Sequence, residues 1–133
     1  MKKLALLLVA AFIVTLFMVS CSKKKDDTAS TTTKPYSELI VGRWKTNAEN
    51  PYYEVYYADG TGKYWDTADG TMEEEADTFD WTIDENNKLT QIVHFQSGAA
   101  DLPQYCNILI LNETTFKYNN DGWRAEYNLI RVN

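Results

Sequence analysis

The sequence predicts an all-β domain folded as an eight-stranded antiparallel up-and-down barrel, and three observations support this prediction. From residue 36 onward, short segments rich in Tyr, Trp, Ile, Val and Thr alternate with turn residues, and no segment sustains a helical period. The connections are short, so consecutive strands should be antiparallel neighbours. Because no helix is predicted to cover a sheet face, closure into a barrel is the simplest way to remove both exposed edges.

Each predicted strand is bounded by residues that favour turns. Four of these turns contain residues that tolerate the positive φ angles of tight hairpins: Asp59-Gly60, Asp69-Gly70, Asn86-Asn87 and Asp121-Gly122. The predicted strands cover residues 40–46, 52–58, 62–67, 74–83, 88–96, 104–111, 115–119 and 123–132. The connection at 97–103 is the longest predicted between strands, and it is interpreted either as a lid over one end or as a simple connector.

Alternation along each strand predicts which side chains face the lumen. The inward aromatic set is Trp65, Phe79, Trp81, Phe95, Phe116, Tyr118, Trp123 and Tyr127. Four inward residues are possible polar anchors for a ligand: Gln91, Asn107, Tyr118 and Tyr127. An eight-stranded barrel is wide enough either to be filled by its side chains or to hold one small ligand, and both alternatives stay open. The candidate ligand-binding residues are therefore Trp65, Phe79, Trp81, Gln91, Phe95, Asn107, Tyr118 and Tyr127.

Two features are predicted on the outside of the barrel. One is an apolar set, which could form a partner interface or be covered by the segment before residue 40: Ile92, Cys106, Ile108, Ile110, Ile130 and Val132. The other is the run 52–57, whose alternation places Tyr rings on both faces. Exposed Tyr residues suit sugar or protein contacts, although Tyr is also a good strand former.

The amino-terminal segment predicts export. A basic start is followed by an apolar run over residues 4–19, which is shorter than the roughly 20 residues that span a bilayer. Residues 1–20 are therefore interpreted as a signal peptide, with an uncleaved anchor as the alternative. Residues 21–35 carry no large apolar side chain and are predicted to be a flexible tether, and residues 36–133 form the barrel domain.

The residues before the predicted cleavage site carry a family resemblance. Met18-Val19-Ser20-Cys21 resembles the lipobox of bacterial lipoproteins. This resemblance implies acylation of the Cys21 thiol, removal of the preceding peptide and attachment to the cell outer membrane through an N-terminal lipid. Lys25-Asp26-Asp27 also resembles an export signal to the outer surface used in one group of Gram-negative bacteria, which implies surface exposure; the sequence leaves the leaflet open.

A second resemblance concerns the barrel. Gly42-Arg43-Trp44 at the start, with Arg131 near the end, resembles the signature of the lipocalins and the wider calycin superfamily. The order of further motifs resembles bacterial lipocalin-like lipoprotein domains: Asp59-Gly60-Thr61-Gly62, Phe79-Asp80-Trp81-Thr82-Ile83 and Leu129-Ile130-Arg131-Val132. The resemblance implies that the Trp44 ring closes one end of the barrel beside Gly42, with Arg131 packed across it. Unlike the larger lipocalins, this chain has no predicted helix after the barrel and no disulfide.

Charge and composition argue against several functions. Residues 36–133 contain 17 Asp and Glu against 7 Lys and Arg, which disfavours nucleic acid as a partner. With Cys21 assigned to the lipid, Cys106 has no partner for a disulfide. His94 is the only histidine, and the acidic stretch 66–77 lacks the ligand spacing of a calcium loop, so no metal or other cofactor is predicted. No nucleophile motif is present and nothing selects a carboxylate pair, so an enzyme is not predicted.

These observations predict a lipid-anchored envelope protein whose barrel binds a small apolar or amphipathic molecule. The competing hypothesis is a solid barrel that acts as a scaffold for a protein partner through its outer surface. Fold class alone does not decide between them.

Overall fold

The computed structural model describes residues 34–133, which form a closed barrel of eight antiparallel strands in sequence order. Each strand pairs with the strands before and after it, and β1 pairs with β8 to close the barrel. The predicted fold class is therefore confirmed. The predicted signal peptide, Cys21 and the tether up to residue 33 lie outside the described residues.

The chain enters the barrel through one short helix, α1, at Tyr36–Leu39. The strands are β1 Gly42–Thr46, β2 Tyr52–Tyr56, β3 Thr61–Asp66, β4 Asp77–Ile83, β5 Lys88–His94, β6 Leu102–Leu111, β7 Thr115–Asn120 and β8 Ala125–Val132. Two 3₁₀ turns, Thr67–Asp69 and Glu73–Glu75, connect β3 to β4.

Some strand boundaries differ from the predicted ones for local reasons. β4 begins at Asp77 because the three preceding glutamates form a 3₁₀ turn. β8 begins at Ala125 because residues 121–124 form a turn in which Arg124 has a φ of 53°. β6 begins at Leu102 and includes Pro103, which pairs with Ile92, and β5 ends at His94, so the connection interpreted as a lid lies at residues 95–101 and keeps its length of seven residues.

One half of the barrel is filled by its own side chains. The largest fully buried residues there include Trp44, Tyr56, Phe79, Leu89, Phe116 and Leu129. Fully burying a Leu or Phe side chain stabilises a fold by about 1.5–3 kcal/mol. This half is therefore the main hydrophobic core and leaves no room for a ligand.

Trp44 and Arg131 close the filled end. The Arg131 guanidinium lies 4.1 Å from the centre of the Trp44 ring, and the Trp44 indole N–H donates to the Ile40 carbonyl oxygen at 2.7 Å. Arg131 also donates to the carbonyl oxygens of Leu39, Val41 and Glu113. Carbonyl dipoles from the segment before β1 and from the connection between β6 and β7 thus stabilise the charge of Arg131.

Gly42 is required at this end for two reasons. Its φ of 137° is a conformation that side chains rarely adopt. A Cβ atom at this position would also overlap the Arg131 guanidinium. The structure therefore brings Gly42, Trp44 and Arg131 together at the filled end of the barrel.

The predicted inward orientation of Trp65 is wrong. Trp65 is buried on the outer face of the barrel, stacked on Tyr53 with ring centres 4.7 Å apart. Arg43 lies 5.2 Å from the Trp65 ring and donates to Glu73 in the second 3₁₀ turn. Strand alternation separates the two faces of a strand but does not show which face lines the lumen. Here the connection between β3 and β4 covers the outer face, so an apolar residue on that face is buried.

The predicted faces of β6 are also wrong in its first half. Cys106 points inward and is buried, and Ile108 packs against the core, whereas Asn107 points outward and donates to Asp121 at 2.6 Å. A register irregularity between Ile108 and Ile110 reverses the alternation, which leaves Ile110 exposed. The prediction assumed that side chains alternate regularly along the whole of β6, and this assumption does not allow for such an irregularity.

A tyrosine-lined cup at the open end of the barrel

The end of the barrel opposite Trp44 contains a cavity of about 250 Å³, which we call the cup. Its lining residues are Tyr52, Tyr64, Asp66, Asp69, Gln91, Val93, Gln104, Tyr118, Trp123 and Tyr127. Three of the candidate ligand-binding residues from the sequence meet there: Gln91, Tyr118 and Tyr127. The lumen is thus partly filled: one half is packed with side chains and the other half contains the cavity.

Most residues that line the cup lie on strands, where the two-residue alternation directs their side chains into the lumen. Tyr52 begins β2, Tyr64 lies on β3, and Tyr127 lies on β8, each pointing toward the lumen beyond the packed core. Trp123 and Asp69 come from connections at this end instead. Trp123 was predicted to be an inward residue of the eighth strand, but it lies in the turn before β8, where it is 65% exposed and forms part of the rim.

The cup is lined by aromatic rings in mutual contact. Tyr118 stacks on Tyr127 with ring centres 4.9 Å apart and an interplanar angle of 13°. Tyr52 contacts both Tyr127 and Tyr64, at 5.6 and 5.9 Å between ring centres. Because each ring packs against a neighbouring ring in the wall of the cup, these contacts hold the rings in place without a ligand.

Glu54 lies at the centre of a buried hydrogen-bond network, and strand alternation does not identify it as a site residue. It is fully buried inside the barrel, and its carboxylate accepts hydrogen bonds from the hydroxyls of Tyr52, at 2.9 Å, Tyr56, at 2.8 Å, and Tyr118. Two of these tyrosines also line the cup. The only signal in the sequence is that Glu54 shares the parity of Tyr52 and Tyr56, and alternation does not say that this parity faces the lumen.

Gln91, which also lines the cup, extends the polar network to Tyr56 and Cys106. The Gln91 amide N–H donates to the Tyr56 hydroxyl at 2.8 Å, and the Cys106 thiol lies 3.9 Å from the Gln91 carbonyl oxygen. The carboxylate, hydroxyl and amide groups of this network thus have partners, which is the condition for tolerating such a network in a core.

Burial controls the protonation of this network. It raises the pKa of Glu54, an effect that the three phenol hydrogen bonds partly oppose. Burial, followed by the Glu54 charge, raises the pKa values of Tyr52, Tyr56 and Tyr118 well above 10, so these phenols remain neutral donors. Burial also raises the pKa of the Cys106 thiol to about 12, which makes this residue unreactive at neutral pH.

The rim of the cup is acidic. Asp66 and Asp69 belong to its lining, and the Tyr64 hydroxyl donates to Asp77 at 3.2 Å. Burial, reinforced by Asp77, raises the pKa of Tyr64. Among the described residues that line the cup there is no Lys, Arg or His. The arrangement therefore provides rings, carboxylates and amides for binding a small molecule.

The other candidate residues lie away from the cup. Phe79 and Trp81 belong to the packed half, where the Trp81 indole N–H donates to the carbonyl oxygens of Tyr57 and Thr61. Phe95 is half-buried against the core just after β5. Trp65 and Asn107 point to the outside of the barrel, so neither can contact a ligand in the lumen.

His94 lies on the outer wall between two carboxylates. Its ring nitrogens lie 2.9 Å from Asp101 and 3.2 Å from Asp80, and hydrogen bonds to these groups raise the pKa of His94. Residues 34–133 contain no group of three or more His, Cys, Asp or Glu side chains arranged to hold a metal ion. In the same part of the chain, no helix has the length and hydropathy needed to cross a membrane.

Comparison with known proteins shows the fold alone. No family model and no curated protein matches the sequence. A protein from Bacteroides uniformis ATCC 8492, solved by NMR, has a similar structure with a TM-score of 0.54 and 13% sequence identity. The similarity covers 73% of this chain and 92% of that one.

Proposed function

We propose that this chain is a lipid-anchored envelope protein that binds one small amphipathic molecule in the cup. The observation that carries the proposal is the division of the lumen into a packed half and an open, ring-lined half. A barrel that served only as a scaffold would gain stability by filling both halves. Here Tyr52, Tyr64 and Tyr127 remain only partly buried around an accessible cavity.

The lining favours an amphipathic ligand over a purely apolar one. Val93 and the aromatic rings provide apolar contacts, while Gln91, Gln104 and the rim carboxylates provide polar ones. The volume of about 250 Å³ equals that of about eight water molecules at roughly 30 Å³ each. It is also below the roughly 300 Å³ at which drug-sized pockets begin, so the ligand is of the size of a small metabolite.

The lipid anchor rests on the sequence. The lipobox-like residues end at Cys21, and the fourteen residues 22–35 separate it from the barrel domain. Such a tether would hold the cup close to the membrane surface while leaving it free to sample the surrounding solution.

Mass spectrometry of one sample tests both parts of this proposal. The protein, produced from its full sequence and purified in a non-ionic detergent from the membranes of the cells, should show under denaturing conditions the mass of residues 21–133 plus that of a lipid, because the lipid on Cys21 is covalent and residues 1–20 are removed. Under native conditions, after exposure to an envelope extract, a second mass should appear that denaturation removes. The difference between the two spectra identifies the non-covalent ligand.

Two matched variants locate the ligand. Trp123→Ala removes a rim ring that is 65% exposed, and Tyr105→Ala removes a ring that is 58% exposed on the outer wall. We expect the first variant to reduce ligand retention by about tenfold, equivalent to about 1.4 kcal/mol, and the second to leave it unchanged. Equal retention by both variants would place the ligand elsewhere, and a denatured mass without lipid would exclude the anchor.

A second candidate function follows from the outer wall. Four large apolar side chains on β5 and β6 are exposed: Ile92, Tyr105, Leu109 and Ile110. These neighbouring strands could contact a protein partner instead of a ligand in the lumen. This candidate predicts that no extract adds a non-covalent mass in the same experiment.

A further inference from the structure

Resting on the proposed function, we infer that the ligand of the cup is a small organic cation, a primary ammonium or guanidinium compound with a compact apolar body. Three properties of the cup point to this class: the direction of its hydrogen bonds, the sign of its charge and its aromatic lining.

The tyrosine hydroxyls of the cup are already committed as donors. Tyr52 and Tyr118 donate to Glu54, and Tyr64 donates to Asp77. A phenol oxygen whose hydrogen is engaged retains only lone pairs for another partner. These three tyrosines therefore offer acceptors to a ligand, and donors on the ligand would complement them.

The charged side chains that line the cup are acidic. Asp66 and Asp69 line it, and Glu54 accepts from two of the tyrosines in its wall. The Asp66 carboxylate is held in place by the backbone N–H of Ala68 at 2.9 Å. No cationic side chain belongs to the described lining, so nothing within the cup neutralises these carboxylates. A cation would supply the missing charge, whereas an anion would be repelled.

The aromatic lining suits the same class of ligand. Five rings line the cup: Tyr52, Tyr64, Tyr118, Trp123 and Tyr127. The face of a Tyr or Trp ring attracts a cation within about 6 Å, and the same rings can pack against an apolar body. Gln104 accepts from Asn120 through its carbonyl oxygen, so its amide nitrogen remains as a donor for one acceptor on the ligand.

Three probes of matched size test the charge preference. They are 2-phenylethylammonium, the neutral 2-phenylethanol and the anion phenylacetate, with methyl β-glucoside as a neutral, hydroxyl-rich comparison. Each is titrated into the ¹⁵N-labelled full chain in a non-ionic detergent. The indole N–H signal of Trp123 reports on the cup, and that of Trp65, buried on the outer face, serves as an internal control. We expect the cation to bind at least about tenfold more tightly than any other probe.

Charge-removing variants test the origin of this preference. Asp66→Asn with Asp69→Asn removes both rim charges, and asparagine can still accept from the Ala68 N–H, which preserves the turn. The matched control, Glu38→Gln with Glu85→Gln, removes two charges from exposed positions at the closed end. We expect the rim variant to reduce the preference for the cation to about twofold and the control to retain it.

The outcomes separate this inference from the proposed function. A cation that binds no better than its neutral counterpart overturns the inference, as does a preference that survives removal of both rim charges. If the Trp123 titration shows that a neutral or anionic probe binds more tightly than the cation does, the proposed function stands and the inference fails. If the extract adds no mass and no probe shifts Trp123, both the inference and the proposed function fail.

Discussion

Replacing Glu54 with leucine is expected to lower the free energy of unfolding by about 2–4 kcal/mol. The carboxylate accepts from three tyrosine hydroxyls, of which those of Tyr56 and Tyr118 belong to fully or almost fully buried residues. Leucine keeps much of the volume but offers no acceptor, and each buried hydroxyl left unsatisfied costs about 1–3 kcal/mol. Chemical denaturation of the wild type and the variant measures this loss.

A second substitution separates the hydrogen bonds from packing. Combining Glu54→Leu with Tyr118→Phe removes a donor together with its acceptor, which is less costly than removing the acceptor alone. The double variant should therefore lose less stability than the sum of the two single variants. Additive losses would show that Glu54 contributes through its shape and not through this hydrogen bond.

The same carboxyl should leave a signature in the pH dependence of folding. Burial raises the pKa of Glu54 above its ordinary value of 4.5, so the folded barrel binds this proton more tightly than the unfolded chain does. The stabilisation that comes from this tighter proton binding is complete below pH 4.5 and is lost as the pH rises through the folded-state pKa of Glu54. The stability of the wild type relative to Glu54→Gln, which cannot titrate, should therefore increase as the pH falls from neutral.

Glu73 supplies a control of opposite sign. Hydrogen bonds from Lys63 and Arg43 lower the pKa of Glu73, so its contribution is present above its ordinary pKa and is lost on acidification. The stability of the wild type relative to Glu73→Gln should accordingly decrease as the pH falls. If both differences changed in the same direction, the opposite environments of the two carboxyls would be refuted.

Trp44→Ala should destabilise the barrel by about 3–5 kcal/mol, the range found when a buried Trp or Phe is truncated. Trp44 is fully buried, contacts Phe116 at 5.5 Å between ring centres and receives the Arg131 guanidinium on its face. Because small domains are stable by only about 5–15 kcal/mol, the variant should be close to unfolding. The midpoint of denaturation measures the effect.

Two further substitutions show which contacts of Trp44 matter. Trp44→Phe keeps an aromatic ring beneath Arg131 but loses the indole donor to the Ile40 carbonyl, so we expect an intermediate loss of about 1–3 kcal/mol. Trp123→Ala truncates the same residue type at the exposed rim and should change stability by less than about 0.5 kcal/mol. Equal effects at positions 44 and 123 would contradict the division into a packed end and an open end.

Local signals made much of this fold predictable. Turns such as Asp59-Gly60 and Asp121-Gly122, placed between β-rich segments, were enough to predict the number and order of the strands. Hairpin geometry then requires each strand to pair with the next, and the closure follows from the need to cover the remaining edges. These steps depend on short stretches of sequence and not on distant contacts.

The candidate site was only partly predictable. Gln91, Tyr118 and Tyr127 were expected in the lumen and lie in the cup, but Trp65 was assigned to the wrong face and Glu54 was not singled out at all. Alternation divides a strand into two faces, and hydrophobicity usually identifies the inner one. It fails where a connecting segment buries the outer face, as at Trp65, or where the inner face carries a satisfied carboxylate, as at Glu54.

The sequence by itself determined that the domain is a barrel of eight sequential strands, because turn chemistry and side-chain alternation are local properties of the chain. Only the tertiary structure decided which rings fill the barrel and which surround a cavity, because packing depends on residues far apart in sequence. Tyr118 reaches Glu54 across 64 positions and Gln91 reaches Tyr56 across 35. The irregularity in β6 likewise depends on how that strand pairs with β7, so its effect on the lumen emerges only when the strands are assembled.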